Sequence, residues 1–219
     1  MSDDPMILTD VRDMFGVHEA FRRGLRDAGP QIAAIDGDPE RAARFAAYLG
    51  DLLFLLHAHH DGEDELLYPL LVERVPDERA LFDEMDAQHR GVTDALSACL
   101  RASDSYGESA STTNADTLRE ACDVLGATLE GHLDQEETDI LPLAQVWIAP
   151  DEWGQLPGHT MRSYHGPRLW MPLGLATEAM SDDLRAAIES HLPPPVASMW
   201  LGGGAESFSA EMELIRALD

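Results

Sequence analysis

The chain has 219 residues, 44% of them apolar, enough to bury a substantial core in one domain with an appendage or in two small domains. Forty-one acidic residues against fifteen basic ones give a formal charge of -26, which repels phosphate backbones and anionic membrane surfaces and argues against nucleic acid or a membrane as partner. Beyond that, the charge speaks only for solubility.

Cys99 and Cys122 are the only cysteines. They form no CxxC spacing and no dense framework, which favours a reducing compartment over a disulfide scaffold. The N-terminus, MSDDPMILTDVRD, is acidic and lacks a basic segment followed by an apolar run, and no apolar stretch reaches membrane-spanning length. The expected location is cytoplasmic.

From residue 9 to about 147 the apolar residues recur with helical periodicity, and no period-2 strand interrupts them. A first helix is expected from Thr9 or Asp10, with Val11, Met14, Phe15, His18 and Leu25 on one stripe and a break or kink at Gly29-Pro30. Asp36-Gly37-Asp38-Pro39 ends this arm. Asp38 as N-cap and Pro39 at the first helical position open a second helix, whose seam carries Tyr48, Leu52, Leu55, Leu56, His59, Glu63, Leu66, Leu67 and Leu70. It stops near Val75-Pro76. A third helix starts at Asp77, with Leu81, Phe82, Met85, His89, Val92 and Leu96 on its stripe, and gives way to a Ser-rich loop over 103–113. The fourth begins around Asn114 and aligns Leu118, Cys122, Leu125, Leu129, His132, Glu136, Ile140 and Leu143. The fold class is therefore all-α, an up-down four-helix bundle over residues 9–148.

Residues 149–219 differ in kind. Gly and Pro recur, three of the four Trp fall there, and the stretch includes Leu192-Pro193-Pro194-Pro195 and Gly202-Gly203-Gly204. Short helices are expected at 167–178, 181–191 and 206–217. The Trp and Leu content needs burial, so this extension is expected to pack onto the bundle or onto a second copy of the chain as a homodimer.

The two halves of the bundle repeat one constellation. His18 recurs as His89, 71 residues on; His59, Glu63 and Pro69 recur as His132, Glu136 and Pro142, 73 residues on. HHDGEDELLYP at 59–69 thus answers HLDQEETDILP at 132–142, and each half is a helical hairpin carrying His, then His-x3-Glu. Residues i and i+4 lie about 6 Å apart on one helix face, so each His-x3-Glu aims an imidazole and a carboxylate the same way. His59 stands about 13 residues before the second turn and His89 about 13 after it, and at ~1.5 Å rise per residue they return to the same height. All four helices bring donors to one layer.

A single His on an apolar stripe is usually a satisfied core histidine. Here four seams are each interrupted by His and two by Glu one turn later. Without a metal, burying that set would leave several polar groups unpaired at about 1–3 kcal/mol each. The candidate metal ligands are His18, His59, Glu63, His89, His132 and Glu136. His57, about 200° from His59 around the helix, is expected to face solvent; His60, about 100° off, is expected to be at most an outer neighbour. Asp64 and Glu137 are expected to face solvent or to orient a histidine. His159, His165 and His191 have no spacing signal.

Imidazole and carboxylate without thiolate suit iron, manganese or zinc, and the Glu-x-x-His of ferritin-type ligation does not occur. At these residues the sequence resembles the hemerythrin-like, or HHE cation-binding, family, over about residues 9–147. The resemblance implies two Fe ions, with His18 and His59 on one, His89 and His132 on the other, and Glu63 and Glu136 bridging. Four imidazoles and two bridging carboxylates give each ion four protein bonds; an oxo or hydroxo bridge makes a fifth and leaves an open position for a small molecule. Oxygen carriers of the family have a further histidine on the third helix where this chain has Thr93. The H, HxxxE, H, HxxxE set is similar to that of the family's iron-centre repair proteins, whose cysteine-bearing N-terminal segment has no counterpart here. The implied function is a non-haem di-iron protein that reacts with O2, peroxide or NO, as a redox enzyme or in stress defence. The alternatives are a module that binds or senses O2 or iron without turnover, and a purely structural metal.

Overall fold

The computed structural model describes residues 8–217; the acidic stretch ahead of Leu8 lies outside the described residues. Among the described residues there is no strand. The chain is built from α1 (Arg12–Ile35), α2 (Pro39–Gly62), α3 (Tyr68–Arg74), α4 (Arg79–Glu108), α5 (Thr112–Gln135) and α6 (Leu141–Trp147), followed by the helices of the extension. A π-helical turn, Glu63–Leu67, splices α2 to α3, and another, Glu136–Ile140, splices α5 to α6. Four rods result: α1, α2–α3, α4 and α5–α6. Neighbours in the ring are α1 with α2, α2 with α4, α4 with α5, and α5 with α1, the arrangement of an up-down bundle.

The turns follow from local chemistry. Asp36 and Gly37 both take positive φ, 50° and 77°, and reverse the chain within two residues. The Asp38 carboxylate then accepts from the backbone N–H groups of Glu40 and Arg41, with Pro39 at the first turn of α2.

Three expectations need correction. The first helix does not start at Thr9: the Thr9 N–H donates to the Gln145 carbonyl, tying the entry of α1 to the fourth rod, and helix begins at Arg12. Of the break or kink expected at Gly29-Pro30, the break does not occur, because Ala28, Ile32 and Ile35 are buried in the core and their packing outweighs the hydrogen bond that proline forfeits. Phe15, placed on the buried stripe, is 44% exposed.

The Ser-rich loop is shorter than expected. Helix α4 runs on to Glu108 because Cys99, Ala102, Ser103 and Tyr106 continue its buried stripe at helical spacing. Only residues 109–111 connect it to α5. Ser111 caps α5 by accepting from the Asn114 N–H, and the Asn114 side chain donates back to the carbonyls of Ser105 and Ser109. Cys99 and Cys122 are free thiols that meet in the core, Sγ to Sγ 3.6 Å apart.

The extension is helical throughout most of its length: α7 (Pro150–Trp153), α8 (Gln155–Ser163), α9 (Trp170–Glu178), α10 (Asp182–Ser190), α11 (Pro194–Met199) and α12 (Ala205–Arg216). The three helices expected here correspond to α9, α10 and α12; α7, α8 and α11 are additional. It packs back onto the bundle over the face made by α1 and α2, and Met171, Leu175, Trp200, Phe208, Met212 and Ile215 join the main core. Two glycines allow close approaches, one between extension and bundle and one within the extension. A Cβ at Gly16 of α1 would lie 2.5 Å from Met180, and one at Gly174 of α9 would lie 2.3 Å from Phe208. No helix among the described residues is long and apolar enough to cross a membrane.

Candidate metal centre

Each donor is placed by the spacing of its own rod. His18 points inward from α1, His59 from α2, His89 from α4 and His132 from α5, while Glu63 and Glu136 open the two π turns. The π turns share a cause. In an unbroken α-helix, the rings of Pro69 and Pro142 would strike the carbonyls four residues back. One extra residue per turn relieves the clash, and Tyr68 and Leu141 donate five residues back, to the carbonyls of Glu63 and Glu136.

All six predicted residues are buried and converge on one layer. His18 Nε2 and His59 Nε2 face each other at 3.2 Å. The Glu63 carboxylate spans two histidines from different helices, with Oε1 3.2 Å from His59 Nε2 and Oε2 3.6 Å from His89 Nε2. Glu136 does the same, its Oε2 lying 3.4 Å from His18 Nε2 and 3.6 Å from His132 Nε2. Both oxygens of Glu63 and of Glu136, and the Nε2 atoms of His89 and His132, are buried with no hydrogen-bond partner. In a closed core such atoms cost about 1–3 kcal/mol apiece unless something binds them.

The opposite edges of the rings are occupied. His18 Nδ1 lies 2.8 Å from Glu137 Oε1, and His89 Nδ1 lies 2.8 Å from Asp64 Oδ1. His132 Nδ1 lies 3.3 Å from Gln88 Oε1, which is itself held by Gln135. A proton placed on Nδ1 by these acceptors leaves Nε2 as a lone pair aimed inward. Asp64 and Glu137, each the residue after a central glutamate, therefore orient a histidine on the next rod, one of the two roles the sequence allowed them. Arg22 anchors Glu137 at 2.6 Å.

Burial holds His59 and His132 neutral. His59 is pushed well below the usual histidine value, first by desolvation and then by the neighbouring rings of His18, His132 and His89. His132 is pushed down to about 3 by the same causes. Glu63 is driven the other way, well above the usual carboxylate range, by burial and by the facing Glu136. A carboxyl that resists ionising because a second faces it, beside neutral imidazoles, marks a site short of positive charge. A dication supplies it.

Two groups of side chains bring their donor atoms close enough to hold an ion: His18, His59, Glu63 and Glu136, and His60, Glu63, His89 and His132. The family model for the hemerythrin HHE cation-binding domain matches residues 9–144. The chain belongs to the hemerythrin HHE cation-binding family. Comparison with curated proteins and with solved structures found no match.

Within this HHE site, the second group contains a residue that the sequence reading set aside. His60 is buried, its Nε2 has no hydrogen-bond partner, and its ring stacks on His89 with centroids 4.4 Å apart. Expected to be at most an outer neighbour, it is brought by packing among the candidate donors. A helix in a four-rod ring faces two neighbours, and the 100° step from His59 to His60 turns the side chain from α1 toward α4. The internal repeat held a trace of this, for His60 answers Leu133 and the two halves are unequal there. Tyr68, which answers Leu141, is a second inequality. Its ring packs against His89, and its hydroxyl is buried without a partner and held well above the usual tyrosine value by burial, with Glu136 and Glu63 adding to it. His57 is exposed, as expected. His159 stands at the edge of the extension, 3.7 Å from Glu65.

Proposed function

We propose that the chain holds two iron ions, one by His18 and His59, the other by His89 and His132, with Glu63 and Glu136 between them, and that the pair reacts with O2, peroxide or NO. The observation that carries this reading is the span of each glutamate across one histidine of each pair, with buried carboxylate oxygens left unpartnered. The donors are nitrogen and oxygen only; the two thiols face each other in the core, so soft-metal ligation has no support. When bound, an iron pair supplies electron exchange with small oxidants. The protein's share is to keep Nε2 atoms free through Asp64, Glu137 and Gln88, to hold His59 and His132 neutral by burial, and to exclude bulk water with the packed seams above and below.

The test is metal analysis and the optical spectrum of protein from iron-supplemented cells, followed by exposure of the reduced form to O2, peroxide and NO in turn. About two irons per chain and turnover with one reagent support a redox enzyme or a stress-defence protein. Reversible colour change without turnover supports the binding or sensing alternative. Zinc alone, or no metal after reconstitution, overturns the di-iron reading.

A further inference from the structure

The extension encloses a cavity of about 100 Å3 between itself, α1 and α2, and two of the proposed ligands, His59 and Glu63, stand in its wall. The rest of the lining is almost entirely apolar, contributed by side chains such as Val17, Phe54, Leu156, Met161, Leu173 and Ala176. His59 is the most exposed of the six predicted donors, at 9% against 3% or less for the others. The cavity is thus where the buried centre meets an outside space.

We propose that this cavity binds a small neutral organic molecule with an apolar body of roughly four to six carbons, a scale set by cavities of about 150 Å3 that accept benzene. Size separates this ligand from a diatomic gas, which needs only a narrow passage. A carboxylate finds no partner in the metal-free chain: Asp13 lines the cavity with its oxygens 3.0 and 3.3 Å from the Trp153 indole nitrogen, and Glu63 stands in the wall. A ligand acid there would face two carboxyls and no cationic side chain. The molecule's role as substrate rests on the iron pair proposed above, whereas the binding itself does not.

The experiment is a titration of the full chain, first metal-free and then with Zn(II), with n-pentanol and, in the metal-free chain, separately with pentanoate, followed by the NMR resonances of Gly62, Leu173 and Ala176. Saturable shifts at these positions with pentanol, and at least tenfold weaker ones with pentanoate, are expected. Ala176→Phe on α9 and Thr160→Phe on α8 fill the cavity from different elements, and each is expected to weaken pentanol at least tenfold; if one fails to fold, the other still reads. Shifts that never saturate, equal affinity for pentanoate, or undiminished binding in a folded filled variant would overturn the proposal. Repeating the titration with Co(II) separates the two readings. Faster relaxation of the pentanol protons places the ligand beside the metal, and unchanged relaxation in cobalt-loaded protein overturns that adjacency. A chain that takes up neither metal counts against the iron pair, while its pentanol shifts still support or overturn the cavity.

Discussion

Replacing His60 by leucine separates a ligand from a core histidine, because the two roles move metal-free and metal-loaded stability in opposite directions. The repeat already places a fully buried leucine, Leu133, at the equivalent level of the other half, so the side chain has a precedent in this bundle. In the metal-free chain His60 contributes a buried, unpartnered Nε2. Removing it recovers about 1–3 kcal/mol of desolvation cost, less any packing loss. With metal the sign reverses at one site. Loss of outer partners of a ligand typically weakens metal binding 10–100-fold, and loss of a donor atom is expected to cost at least that, about 1.4 kcal/mol for each factor of ten. The group of His18, His59, Glu63 and Glu136 keeps its donors, so only one of two binding steps is expected to weaken. Urea unfolding of the stripped chain and a chelator-competition titration read the two effects. A variant that loses stability without metal and binds both ions as tightly as the parent would show His60 to be ordinary core, and the donor argument would fail.

Asp64→Asn and Glu137→Gln each replace the carboxylate at an Nδ1 by a neutral amide and are expected to weaken one metal-binding step 10–100-fold, read by the same titration. The metal-free chain is expected to lose stability as pH falls below about 6.5, since unfolded histidines protonate there. His59, His60 and His132 stay neutral when folded, and each contributes up to about 1.4 kcal/mol per pH unit. Glu63 opposes them, because its raised folded value gives a contribution present below about 4.5 and lost as pH rises through that folded value. Unfolding at pH 6.5 and 5.5 checks the net sign, and a flat profile would refute it. Tyr106→Ala is expected to cost about 3–5 kcal/mol in denaturant unfolding if α4 runs to Glu108 with this ring in the core, and under about 0.5 if 103–113 were a surface loop.

The helical hairpins, their doubling and the convergence of the six candidate donors are legible because each depends on spacing along a single helix: i to i+4 puts His59 beside Glu63 and His132 beside Glu136 whatever the partner rod. Patterns that cross helices are not. The side of α2 on which His60 is useful depends on where α4 lies, and the unequal halves of the repeat acquire meaning only once both neighbours are in place. Periodicity called 103–113 a loop because its residues are small and polar, yet Tyr106 and the close approach of Gly107 to Ala46 bury that stretch against α2. Pro69 and Pro142 were read as repeat markers, while their effect, a π turn that begins at each central glutamate, came from a backbone clash that residue type signals but does not locate. The extension had burial written in its composition and no address. Only the tertiary structure decided that it lies against α1 and α2, because docking depends on facing shapes such as Gly16 under Met180, and a cavity belongs to the gap between surfaces rather than to either sequence segment.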